Sequence, residues 1–519
     1  MWQALNEMNA SIISLEIAVV LLGLGLLLLD LWTPAAHKRK LGYVAAFAVL
    51  GVLAYSFRLE VLEPKLAFNN SYVFDGLALF FKRFFLIAAV LVLVMAAEFA
   101  DQIEAGISEY YSLILFALAG MMFAASANDF TMLFVSLELI TVTFYVLTSF
   151  QRNKVQSLEA GVKYLVIGGL STGFTVFGIA LVSGTANTMN FGQLGDYTKY
   201  LAEHNQAFPA TLLAGLALIL AGLGFKIAAV PFQIWAPDVY QGSPAPTTAF
   251  LAVGSKAAGF VLLLRLLFVA VPDVTLHWEK FLMALSAITI LYGNLCALPQ
   301  RNVKRLLGYS SIAHAGYLLM GVAAMTRAGS TAILYYLSGY LFTVLAAFTV
   351  ITIVMRKADS EDVTTLAGLN RRSPFLAFVM TLSVVSLAGI PPLAGFFGKF
   401  LLLKAVIERG ATTSAYYWLA GVAVIGVVIS LYYYFGLIRA IYWSETTADS
   451  SPITVPLAAK LALAVCSAGI LIIGLYPQPL LNTTSQATEA LSTVNSTGRA
   501  AVERAVLNAP SLQAQTVVR

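Results

Sequence analysis

Residues 224–260 read GFKIAAVPFQIWAPDVYQGSPAPTTAFLAVGSKAAGF. Ahead of them the run LAGLALILAGLGFKIAAVPF is oily enough to enter a membrane, yet it carries Lys226 beside Gly222, Gly224 and Pro231. Proline removes a backbone donor and glycine loosens a helix, so this run predicts a membrane helix broken near its end. The semi-polar PFQIWAPDVYQGSPAP comes next, and then a second apolar run, TTAFLAVGSKAAGFVLLL, with Lys256 inside it. A broken helix and two lysines in oil decide the class: an all-α membrane protein that crosses the bilayer many times.

The same combination recurs along the chain. Lys163 lies in EAGVKYLVIGGLSTGFTVFGIALV, Lys399 in LAGIPPLAGFFGKFLLL, and Glu138 in FTMLFVSLELITVTFYVL. A charged side chain at the centre of a spanning helix costs about 2.5 to 3.5 kcal/mol. Five of them left in lipid would together cost as much as the whole stability of a domain, on the order of 10 kcal/mol. They must therefore face each other, water or protein. Intramembrane ionisable groups mark ion or proton paths.

Composition agrees. Of 519 residues 59% are hydrophobic and 11% charged, against about 25% charged in soluble proteins. The net charge of +5 comes with no basic stripe, which argues against a nucleic-acid partner. Cys296 and Cys466 both lie in apolar runs, as small buried hydrophobes do. His37, His204 and His277 fall in predicted loops, which leaves His314 as the histidine within a span. No cysteine cluster or histidine pair could hold an iron–sulfur centre or haem, so no cofactor is expected in this chain.

Spans of about 20 residues are predicted near 11–31, 41–57, 74–97, 110–127, 130–150, 159–183, 210–230, 244–270, 279–299, 304–325, 330–355, 374–403, 414–441 and 454–475, fourteen in all. The first is read as a retained span rather than a cleaved leader. Loops after odd-numbered spans carry twelve Lys and Arg and the opposite loops seven, which places the first set in the cytoplasm and both termini outside. Residues after Tyr476 are expected to form a loosely ordered polar tail with a short helix near 500–507.

The twelfth span is broken too, by Gly389, Pro391, Pro392 and Gly395. It lies five spans after the first break, so the two broken helices run in opposite directions. Paired breaks of that kind suggest an inverted repeat, the architecture of secondary transporters; unrelated proline kinks are the plain alternative. The chain then divides into 1–109 (three helices), 110–270 (first five-helix repeat), 271–442 (second, inverted) and 443–519 (last helix and tail).

Among the candidate residues, Lys226 and Lys399 flank the two breaks, where freed carbonyls and water are within reach. Glu138, the acidic residue at mid-span, is the natural partner for Lys226, as a proton-loading pair or as a static ion pair. Lys163, near a helix end and close to Glu159, either modulates that pair or snorkels to the interface. Lys256 lies too deep to snorkel. His314, with Ser310, Ser311 and Tyr317 nearby, could pass protons between its ring nitrogens or simply sit satisfied in the core. Arg265 reads as an anchor. Lys82 and Arg83, in FFKRFF, read as markers of the outer interface, and Asp30, Asp75, Glu98 and Asp129 as solvated helix ends.

These stretches, with NVKRLLGYSSIAHAGYLL, resemble the antiporter-like membrane subunits of proton-pumping NADH:quinone oxidoreductase, respiratory complex I, and best of all the N-type subunit. The resemblance covers over half the chain, and WAPDVYQGSPAP with a lysine ten residues on is its most specific part. It implies fourteen helices in two inverted five-helix repeats around a hydrated axis. It further implies Glu138 and Lys226 as the coupling pair, Lys256 as central relay, Lys399 as terminal relay, and Lys163 and His314 as assistants. It places NADH, FMN, iron–sulfur clusters and quinone in partner subunits. The expected partners are other membrane-arm subunits, lipids and, indirectly, the peripheral redox arm, in the cell inner membrane. Gln233 departs from the family, where a histidine is usual, which puts a proton role at that loop in doubt. An Mrp-type cation/proton antiporter subunit is the alternative.

Overall fold

A computed structural model describes residues 10–61, 63–357, 360–444 and 451–491; the short helix expected near 500–507 lies outside them. In chain order the helices are α1 Ser14–Trp32, α2 Lys38–Ser56, α3 Gly76–Phe99, α4 Ile107–Ala125, α5 Phe130–Thr148, α6 Val155–Ala186 and α7 Phe191–Glu203. Next come α8 Ala210–Ile227, α9 Trp235–Gly242, α10 Ala245–Ala270, α11 Pro272–His277, α12 Glu279–Ala297, α13 Val303–Ala323 and α14 Arg327–Val354. The last are α15 Leu369–Arg372, α16 Pro374–Ala388, α17 Ala394–Gly410, α18 Ala415–Trp443, α19 Leu457–Leu475 and α20 Gln478–Glu489. Among the described residues twelve helices are long and apolar enough to cross a membrane. The chain is a multi-pass membrane protein. Lys38–Ser56 and the interrupted pair α16–α17 occupy the two remaining predicted spans.

Burial sorts these helices into layers. Every residue of α10 is buried, as for a helix that is apolar all round and enclosed by others. Helices α13 and α14 are nearly as enclosed. At the perimeter, α1, α6, α18 and α19 expose aliphatic and aromatic side chains such as Leu21, Val166, Tyr432 and Ile472. The core of the molecule is therefore the neighbourhood of α10, α13 and α14, where Lys256 and His314 lie.

Local chemistry fixes the ends. Asp75, Asp129, Asn302 and Thr326 each accept a backbone N–H of the first turn of α3, α5, α13 and α14. The predicted break after Lys226 is real: α8 ends on Ala228 in the left-handed region (φ 58°), and α9 begins only at Trp235. Its freed groups are satisfied, with Trp235 Nε1 donating to Phe225 O at 2.9 Å and Thr289 Oγ1 accepting from Val230 N at 3.2 Å. The second break is also real, with α16 ending at Gly389 (φ 85°) and α17 starting at Ala394.

Other expectations change. A two-stranded hairpin, Lys65–Ala67 with Tyr72–Phe74, interrupts the helical chain between α2 and α3. The segment after Tyr476 begins as a helix, α20, which packs on α14 and α3 and buries Thr484, Ala487 and Thr488. Lys82 is not an interface marker: it is fully buried and pairs with Glu16 at 2.8 Å, because the hydroxyl of Tyr72 and the acid on α1 close over it. Asp75 and Glu98 do lie at helix ends but are buried, held by Arg265 and Arg39.

Candidate functional site

Lys226 sits in the last turn of α8, where unpaired carbonyls favour a cation. Its ammonium donates to the hydroxyl of Thr141 on α5. Glu138, three residues earlier on α5, accepts from Thr172 Oγ1 at 2.7 Å. Glu138 and the Thr141 hydroxyl that holds Lys226 are thus within one turn of each other on α5, the acid bound to Thr172 and the lysine to Thr141. Lys163, on α6, is bound instead by Glu159 at 2.7 Å and by Asp238 at 2.6 Å, and Arg305 holds the other oxygen of Asp238. Gln233 is buried in the α8–α9 break, and its Oε1 has no partner there.

Lys256 comes directly after a turn of π-helix, Leu251–Ser255, within α10. Such turns put an extra residue into the helix and re-aim the side chains beyond it, and they recur at functional sites. The ammonium reaches across to α13, donating to Ser311 O at 2.5 Å and to the Ser311 hydroxyl. That hydroxyl also meets Tyr240 and Tyr340, each at 3.0 Å. One turn further along α13, His314 is held between Tyr336 at Nδ1 and Tyr434 at Nε2, the latter at 3.1 Å. Ser310 meets Tyr434 at 2.5 Å.

Lys399 points back from α17 to the end of α16, donating to Leu387 O at 2.8 Å and Ala388 O at 3.2 Å. It fills the place that the next helical turn would have taken. Its ammonium lies 5.0 Å from the centre of the Tyr317 ring. Lys226, Lys256, His314 and Lys399 are between 2% and 8% exposed. Each is satisfied by hydroxyls, carbonyls or aromatic faces, groups that hold a proton without fixing it as a carboxylate would.

Six sequence-predicted residues thus fall into two groups. Lys226, Lys256, His314 and Lys399 are buried among the enclosed helices and the two breaks, with Glu138 half-buried on α5 beside α6. Lys163 stands aside, 39% exposed, in a carboxylate–arginine network. Reading the sequence missed Asp238, Tyr240, Tyr336, Tyr340 and Tyr434, although the acid inside WAPDVYQ was a visible signal. Arg265 is no lipid anchor; it makes a bidentate pair with Asp75 and donates Nε to Ala125 O.

The profile of the NADH:quinone oxidoreductase/Mrp antiporter transmembrane family matches residues 127–430, a stretch that contains all six residues. The NADH-quinone oxidoreductase subunit N of Moorella thermoacetica is 39% identical over 474 residues, 91% of this chain and 97% of that protein. The chain belongs to the subunit N family. A chain of respiratory complex I from Thermus thermophilus, solved with bound aureothin, is 31% identical with a TM-score of 0.75; the match covers 91% of this chain and 99% of that one. A chain of the Mrp complex from Dietzia sp. shares the fold at 22% identity, with a TM-score of 0.78 over 95% of this chain and all of that one.

Proposed function

We propose that this subunit N chain translocates protons as part of the membrane arm of an NADH:quinone oxidoreductase. The observation that carries this reading is the set of buried groups Lys226, Lys256, His314 and Lys399, each held by hydroxyls or carbonyls of the helices around it, with Lys256 on Ser311 of α13 and His314 between Tyr336 and Tyr434. Energy from quinone reduction in partner subunits shifts Glu138 relative to Lys226. Across Thr141 the two are close enough for a small side-chain movement to change the charge the lysine feels, and opposite charge favours its protonated form. A proton then passes from Lys226 to Lys256, to His314 and to Lys399, and leaves on the outer face. Lys163, tied to Asp238, tunes the electrostatics of α9 rather than carrying protons.

NADH, FMN, iron–sulfur clusters and quinone belong to partner subunits on this reading, and this chain has no redox centre of its own. It sits in the cell inner membrane beside other membrane-arm subunits and lipids, linked to the peripheral arm only through them. Both termini face outward. Fourteen spans, with 110–270 and 271–442 as inverted repeats, are supported by the matching breaks at α8–α9 and α16–α17, with Lys226 in the last turn of α8 and Lys399 on the terminal carbonyls of α16. The family profile also spans Mrp antiporters, so a cation/proton antiporter subunit is the second reading; co-purification with flavin and iron–sulfur subunits separates the two.

The test is substitution within the assembled complex. Glu138→Ala and Lys226→Ala are each expected to cut proton pumping and coupled quinone reduction while electron input through the peripheral subunits persists. Normal pumping by either variant in a fully assembled complex would remove the mechanism.

A further inference from the structure

A cavity of about 790 Å³ lies between the end of α12 and the last turns of α18. On α18 its wall is one helical stripe, with Tyr432, Phe435 and Gly436, and then Arg439. A Cβ built on Gly436 meets nothing within 4 Å, so bare backbone keeps the middle of the groove open. Arg439 stands four residues, about 6 Å, before Trp443. Trp443 is 74% exposed and lies beside Tyr442 at the helix end, as aromatic anchors do at a membrane–water boundary. Tyr432 is seven residues, about 10 Å, further in from Arg439. This wall therefore runs from headgroup depth into acyl depth, with its charge at the top and aromatic rings below.

The facing wall is the turn between α12 and α13, with Leu298 and Arg301. The turn is pinned where Arg301 O accepts from Val363 N at 2.8 Å. Arg305, Arg327 and Arg356 each find a carboxylate, on Asp238, Glu489 and Asp101. Arg301 and Arg439 are exposed, and among the described residues neither guanidinium has an ion pair or a hydrogen bond. Asp362 is the single acid lining the cavity, so the rim keeps a net positive charge. Two free guanidinium groups over an apolar trough suit a ligand with an anionic head and hydrocarbon tails. Guanidinium matches phosphate in shape as well as charge, and basic pockets between membrane helices take such heads.

We propose that this groove is a binding site for one anionic phospholipid, its phosphate between Arg301 and Arg439 and an acyl chain along Phe435 and Tyr432. A free phosphate would leave the apolar trough empty, and a zwitterionic lipid would bring its own cation to the arginines. Seated there, the lipid ties the α12–α13 turn to α18. The same stretch of α18 carries Tyr433, which lines the groove and donates to Asn294 Oδ1 of α12 at 2.9 Å. The lipid thus closes, at the membrane surface, a contact between α12 and α18 that Tyr433 makes at depth.

The test reconstitutes the whole complex in phosphatidylcholine vesicles holding a small fraction of phosphatidylglycerol with a diazirine in its acyl chain. A parallel sample carries the diazirine on phosphatidylcholine instead, and adducts are mapped by mass spectrometry after illumination. Residues 431–437 are expected to label several-fold more from phosphatidylglycerol, while 457–465, on the perimeter helix α19, label alike from both. Arg301→Gln with Arg439→Gln is expected to bring 431–437 down to the phosphatidylcholine level, and the double lysine variant to keep most of the preference. Excess glycerol phosphate, a head without tails, is expected to displace nothing. Equal labelling of 431–437 by the two lipids would reduce the groove to ordinary lipid contact and overturn the proposal. So would displacement by glycerol phosphate, which marks a site for free anions. Labelling of 457–465 with none at 431–437 would show the groove covered by a neighbouring subunit, and would equally overturn it. Should the glutamine variant fail to assemble, the preference measured on the unsubstituted complex decides.

Discussion

Lys256 on α10 is held by Ser311 on α13, which offers it both a carbonyl oxygen, at 2.5 Å, and a hydroxyl. The contact joins the most enclosed helix to the helix carrying His314, and it brings the Tyr240 and Tyr340 hydroxyls to the same oxygen. Ser311→Ala removes that junction while leaving the carbonyl in place. Net loss from one such hydrogen bond is about 1 kcal/mol, so the variant is expected to fold and assemble. Proton pumping per NADH oxidised, measured in proteoliposomes, is expected to fall by about tenfold, less than the roughly 100-fold or more that a positioned proton-transfer group contributes, because the Ser311 carbonyl still holds the lysine.

Gly389 is where α16 must stop. Its φ of 85° suits glycine, and a Cβ there would lie 2.9 Å from Lys399 Cδ. Gly389→Ala is expected to destabilise the protein by about 1 to 2 kcal/mol, the cost of a Cβ in the left-handed region, and to turn the Lys399 ammonium away from Leu387 O. Thermal unfolding in detergent and the pumping assay check the two effects. Gly421, on α18, has nothing within 4 Å of a built Cβ; Gly421→Ala is expected to leave both readouts unchanged or gain stability.

Glu16 and Lys82, both fully buried, are a structural pair away from the proton line. Removing one partner strands the other charge in a dry interior, at a cost of about 3 to 5 kcal/mol. Glu16→Ala and Lys82→Ala are each expected to lower the unfolding temperature and the yield of assembled complex. The double variant Glu16→Leu with Lys82→Met is expected to recover most of the loss. Single variants as stable as the parent would show that the pair is not closed in the assembled protein.

Much of this architecture was legible because oil makes charge conspicuous. Lys226, Lys256 and Lys399 stand out in apolar runs, and Pro231, Pro391 and Pro392 announce breaks that a helix cannot conceal. The tyrosines were not legible: nothing in the sequence singles out Tyr336, Tyr340 and Tyr434 until packing shows their hydroxyls meeting His314 and Ser311. Nor could sequence pair Lys82 with Glu16, because the two meet only when α1 packs near α3. Nothing in LAVGS marks a π turn, and α20 becomes a helix by docking on α14 and α3, whereas its polar sequence predicts a loose tail. The residues that store charge were visible, and those that connect them required the fold.

The central claim is that Lys256 passes protons through the enclosed core, and the most direct measurement is protons translocated per NADH oxidised by the reconstituted complex carrying Lys256→Met. Methionine keeps the length and apolar stem of the side chain and removes only its ability to hold a proton. The account predicts that this ratio drops while the complex assembles and the peripheral subunits still accept electrons from NADH. An unchanged ratio in a fully assembled, NADH-oxidising complex would contradict it.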